Sequence, residues 1–117
     1  MRGTTRDESR TAAIAEAGAE PYLGDPDRIG TLMGALSGVT ILCWLLGHVP
    51  DPDLHGGRLR MLFEKLVDTP VRGVVYERAL PAGEEIARDA AERWHIPVEV
   101  IAPGDDAYAA VERLMAA

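Results

Sequence analysis

The sequence predicts a doubly wound α/β domain, a parallel sheet of about five strands between two layers of helices. Three observations carry that reading. Val39 to Gly47, VTILCWLLG, is the only long stretch that is almost wholly apolar. Its nine residues suit a strand buried on both faces and fall short of the roughly 20 that cross a bilayer. Helical periodicity flanks it on both sides, and short β-prone segments alternate with helices along the chain.

Taken in order, Arg2 to Arg6, RGTTR, has β-compatible threonines but few apolar side chains, and reads as a short strand. An alanine-rich helix follows from Glu8 to Ala17, stopped by Gly18 as a C-cap. Glu20 to Gly24 is a second short strand, confined by Pro21 to a sheet edge or a strand start. Asp25-Pro26 opens the next helix, aspartate as cap and proline in the first turn, and Ile29, Leu32, Met33 and Leu36 face the sheet. After the apolar strand, a loop rich in proline and glycine, His48 to Gly57, leads to a helix over Arg58 to Val67. Leu59, Leu62, Phe63 and Leu66 form its inner stripe. Val71 to Tyr76 is the fourth strand, Glu84 to His95 lies in a helix with Ile86, Ala87, Ala90, Ala91 and Trp94 inward, and Pro97 to Ala102 is the fifth strand. Pro103-Gly104 turns into a last helix with Ala107, Val111, Leu114 and Met115 inward. No repeat or linker divides these five units, so one domain spans residues 1–117.

A formal charge of -7 argues against nucleic acid as a partner, because phosphate binding needs a basic surface, and gives little pull toward anionic lipid. Cys43 is the only cysteine, which excludes an intrachain disulfide; inside the apolar run it reads as a small buried hydrophobe. The polar start, MRGTTRDES, lacks the apolar core of a signal peptide, and a cytoplasmic protein is expected. The nineteen residues from Ile29 to Gly47 carry no charge, but their first half is amphipathic and Ser37-Gly38 interrupts them, so no membrane span is expected.

The stretch RGTTRDESRTAAIAEAGAEPYLGDPDRIGTLMGALSGVTILCWLLG resembles the NAD(P)-binding, Rossmann-like domain of atypical short-chain dehydrogenases, the NmrA-like proteins. There an arginine closes the second strand, an AGAE-type helix end and a GD after the third strand follow, and a helix runs into an apolar fourth strand. Beyond residue 47 only the general layout matches. The family begins with a strand and a glycine-rich turn whose backbone N–H groups hold the pyrophosphate. This sequence has no GxGxxG or GxxGxxG, and Met1 falls where the second strand would start. The resemblance thus implies a truncated chain, without the first βα unit. In the order 3-2-1-4-5-6 the lost strand lies between RGTTR and VTILCWLLG, and its loss opens a gap of about 10 Å. A closed sheet is the expected stable form, with RGTTR sliding against VTILCWLLG to give the flavodoxin-like order 2-1-3-4-5.

The resemblance implies NADP as cofactor. Arg6 and Arg10 would contact its 2'-phosphate, Asp25 would lie near the adenine, and Leu46 and Gly47 would pass beside a ribose. Read without it, the arginines are solvated and Asp25 is a helix cap. No catalytic set is visible: the family's proton relay uses a tyrosine followed four residues later by lysine, whereas Lys65 is the only lysine and no tyrosine stands four before it. Tyr76-Glu77-Arg78 stands where the family often has serines. His48, Asp51, Asp53 and His55 have metal-like chemistry, but a solvated loop is the favoured reading, and His95 is expected to interact with the terminal carbonyls of its helix. Function is thus expected to be dinucleotide binding without recognisable catalysis; the alternative is a non-enzymatic α/β module acting as a homodimer.

Overall fold

The computed structural model describes residues 2–5, 7–16, 18, 20–26, 28–47 and 49–116. Its most buried element is a strand, Gly73–Glu77, in which Val74, Val75 and Tyr76 are wholly inaccessible. β-Branched and aromatic side chains in succession bury both faces of a pleated strand at once. In chain order the strands are β1, Arg2–Thr5; β2, Glu20–Leu23; β3, Ile41–Trp44; β4, Gly73–Glu77; and β5, Val98–Ile101. The α-helices are α1, Thr11–Glu16; α2, Gly57–Leu66; α3, Pro81–Trp94; and α4, Ala107–Ala116. A 3-10 turn, Glu8–Arg10, leads into α1, and a 3-10 helix, Ile29–Leu36, joins β2 to β3.

All strand pairs are parallel, as in a Rossmann-like α/β fold, but they form two sheets, β1–β2 and β3–β4–β5. Among the described residues the expected closed order 2-1-3-4-5 is not formed, because β1 does not pair with β3. β3 is therefore an edge strand rather than the centre of a sheet. Of its four residues only Trp44 is buried, and Cys43, expected inside, is exposed. The radius of gyration, 13.4 Å, is near the roughly 13 Å of a packed domain of about this size, so the two sheets stay together despite the missing ladder.

Right-handed crossovers fix which face each helix covers. Moving from β3 to β4 to β5 puts α2 and α3 on one face, where Leu59, Leu62, Phe63, Leu66, Ala87 and Ala90 meet Val74 and Tyr76. The 3-10 helix shares that face through Ile29, Leu32 and Leu36. α1 packs against β1 and β2, while α4 covers the other face of the three-stranded sheet. There α4 packs Ala110, Val111 and Leu114 against Val75, Ile101 and Ile41. Cys43 follows Ile41 on that second face, where it is exposed.

The helix stripes read from the sequence match the core closely. Leu59, Leu62, Phe63 and Leu66 are all at most 1% exposed. Two differences have local causes. Ile29 to Leu36 is 3-10 rather than α because Gly30 and Gly34 weaken the α-helix, while Ile29, Leu32 and Ala35, all buried, recur every third residue, the 3-10 period. Met115 is 58% exposed because α4 leans on β4 and β5 through Ala110 and Leu114.

Candidate functional site

Parallel strands release their carboxyl ends on one side of the sheet, where ligands of open α/β folds bind. At the end of β3, Leu46 and Gly47 are half-buried, and the Gly47 N–H donates to Glu77 Oε1 at 2.7 Å. A Cβ on Gly47 would lie 2.5 Å from Glu77 Cγ and 2.9 Å from the Arg78 carbonyl oxygen. Only glycine admits that approach. The carboxylate thus bridges the ends of β3 and β4, and β5 joins through the Arg78 N–H, which donates to the Ile101 carbonyl.

Beneath this end lies a buried polar node. His55 is 1% exposed, and its Nε2 lies 2.9 Å from both the Leu46 and the Val49 carbonyl oxygens. Two acceptors require the ring proton on Nε2, so Nδ1 accepts from the Tyr76 hydroxyl at 2.5 Å. Gly83, in the first turn of α3, leaves room for that hydroxyl, which a Cβ there would strike. Burial pushes the Tyr76 phenol up to about 12, with the Glu84 carboxylate adding to the shift and the Ala79 backbone opposing it. At neutral pH the phenol is a fixed donor, not a base. The node ties the loop after β3 to β4 and so holds the Leu46 carbonyl in place. The loop is thus not simply solvated, and both ring nitrogens of His55 are committed away from any metal. Asp51 Oδ1 instead accepts from the Asp53 N–H, an Asx turn, and His48 lies outside the described residues. Trp44, also buried here, has an indole N–H without an acceptor among the described residues.

Of the residues implied for the adenine side, Arg10 and Asp25 lie beside the other sheet, after β1 and after β2. Arg6 lies outside the described residues. Arg10 ends the 3-10 turn with its side chain 78% exposed, its Nε 4.0 Å from Asp7 Oδ2. Asp7 caps that turn through the Ser9 N–H, and the Ser9 hydroxyl and amide hold its carboxyl below the ordinary value. Gly24 continues the β1–β2 ladder by donating to the Thr5 carbonyl. Asp25 does not cap the following helix, whose N-cap is Arg28. Its backbone is held instead by Thr31, whose Oγ1 accepts from the Asp25 N–H at 2.8 Å and lies 2.7 Å from the Arg28 carbonyl. His95, at the end of α3, contributes conformation: it takes the left-handed C-cap position with φ 56°.

Two solved structures of triphenylmethane reductase from Citrobacter sp., one described as complexed with NADP(H), superpose on the chain with a TM-score of 0.65. The likeness is one of fold. Sequence identity is 20%, and the match covers 83% of this chain but 37% of the reductase. The chain therefore spans little more than a third of the protein it resembles. No protein-family model matches the sequence, and no curated protein matches it. No helix among the described residues is long and apolar enough to cross a membrane.

The sequence places Leu46 and Gly47 at the carboxyl end of the apolar strand, as found, and carries no local sign of the residues that hold them. In the sequence Glu77 stands out only as a departure from serine. His55 was grouped with its loop neighbours, although its contacts, at separations of 9 and 21 residues, carry no local signal.

Proposed function

We propose that this chain is the nucleotide-binding part of an NADP-dependent, Rossmann-like protein of the atypical short-chain dehydrogenase type, and that a glycine-rich βα unit belongs between β1 and β3. The observation that carries the proposal is the double opening beside β3. Among the described residues β1 and β3 each have an unpaired edge, and Cys43, in β3, is exposed. A strand followed by a right-handed crossover helix is the one supersecondary unit that fills both. The fold shared with an NADP(H)-complexed reductase supports the cofactor. Arg6 and Arg10 would then meet its 2'-phosphate, Asp25 its adenine and Leu46 with Gly47 a ribose.

The glycine-rich turn supplies the donors for the pyrophosphate, so the 117-residue form should bind NADPH weakly or not at all. Fluorescence titration tests this. Tight binding by the 117-residue form would overturn the proposal, and restored binding on adding an in-frame upstream βα unit would support it. A stop codon directly upstream, or no such unit in frame, counts against it.

The open edge of β3 also favours a second reading, a non-enzymatic module that dimerises by edge pairing. Leu45, 40% exposed, and Cys43 lie on that edge. A dimer in sedimentation that is indifferent to NADPH would select this reading.

A further inference from the structure

The geometry points to Glu77 as the acceptor for ribose hydroxyls at the β3–β4 end of the site, an inference that rests on the cofactor reading above. If Arg6 and Arg10 meet the adenosine 2'-phosphate beyond β1, the nicotinamide half of the cofactor extends over β3 and β4. There Glu77 is half-buried, with one carboxylate oxygen anchored by the Gly47 N–H at 2.7 Å. Its other oxygen has no partner among the described residues. Glycine at position 47 lets the carboxylate sit against the strand end instead of swinging into solvent. An anchored carboxylate accepts hydrogen bonds and donates none, so it selects hydroxyl groups and repels phosphate. A ribose diol beside Gly47 satisfies both conditions. The nicotinamide ribose, distant from the 2'-phosphate, is the part of the dinucleotide that fits.

Nicotinamide riboside, which carries the diol and no phosphate, is the direct probe, and the Gly47 amide is a reporter hydrogen-bonded to the side chain in question. In NMR titrations of the 117-residue chain at millimolar ligand, where weak binding is still read, the riboside in its neutral, reduced form should shift the Gly47 amide resonance while free nicotinamide leaves it in place. Glu77→Ala should weaken riboside binding about tenfold, and Glu77→Gln, which keeps an acceptor but loses the charge, by a few-fold. Should Glu77→Ala fail to fold, Glu77→Gln carries the test. Equal riboside affinity in wild type and both variants overturns the inference, as does the absence of any riboside effect on Gly47. The cofactor reading is judged separately. If the chain with its upstream unit binds NADPH and Glu77→Ala leaves that affinity unchanged, the assignment of Glu77 falls and the cofactor reading stands.

Discussion

The two sheets are built from the same parts, short parallel strands joined by helices, and differ in what covers them. β4 has a strand on each side and a helical layer on each face, and its Val74, Val75 and Tyr76 are sealed. β1 and β2 form an isolated pair, and none of their described side chains is buried. A parallel ladder gains most of its stability from apolar burial on both faces, so the β3–β4–β5 sheet holds the fold and the β1–β2 sheet leans on it. The 3-10 helix touches both, and its Leu32 reaches Gly24 at the end of β2. The function proposed for the chain needs both sheets, the adenine end on the weak one and the nicotinamide end on the strong one.

The largest effect belongs to the strong sheet. Phe63 is wholly buried in α2 within the main core, and Phe63→Ala should cost about 3–5 kcal/mol, a large share of the roughly 5–15 kcal/mol that holds a domain folded. Urea denaturation followed by circular dichroism measures it. A loss below about 1 kcal/mol would mean that the core is not organised around the three-stranded sheet.

How much was legible in advance follows the same division. The stripe Leu59, Leu62, Phe63 and Leu66 could be read from spacing because a helix packed on one sheet repeats its contact every turn. β3 was misread for a physical reason: an apolar run such as VTILCWLLG records that both faces are meant to be covered, not whether the neighbouring strand is present. Cys43 and Leu45 are apolar in sequence and exposed in the structure on that account. The site was partly legible too. Gly47 could be placed at a strand end, whereas its partner Glu77 lies thirty residues on and depends on the β3–β4 register, in which Trp44 stands opposite Tyr76.

An intermediate effect comes from the buried node and depends on pH. The Tyr76 phenol is raised in the folded chain to about 12 from its ordinary 10. Below pH 10 both states keep the proton and the node's contribution is fully present. As pH rises from 10 toward 12 the unfolded chain loses its proton first, so stability falls across that window. Tyr76→Phe should remove this alkaline loss and lower neutral-pH stability by about 1–2 kcal/mol, because His55 Nδ1 is left buried without a donor. Denaturant midpoints at pH 7, 10 and 11.5 test both statements, and an unchanged alkaline slope in Tyr76→Phe would remove the node from the account.

The smallest effect is the sharpest test of the comparison. Ile14, in α1, packs over Gly3, where a Cβ would come within 2.8 Å of its Cγ2. This contact joins α1 to β1, and yet Ile14 is only half-buried. In the 117-residue chain Ile14→Ala should cost less than about 1 kcal/mol in global stability, since a partly exposed side chain loses little by truncation. Its effect should be local. Amide exchange of Gly3 to Thr5 and Tyr22 to Leu23 should quicken, with Val74 to Tyr76 unaffected. If a strand and helix are supplied between β1 and β3, Ile14 gains neighbours on both sides. The same substitution should then cost several times more and slow exchange should extend into β1. A cost that stays small in the completed chain would mean that the β1–β2 sheet is an appendage, and the adenine end of the site would have to be sought elsewhere.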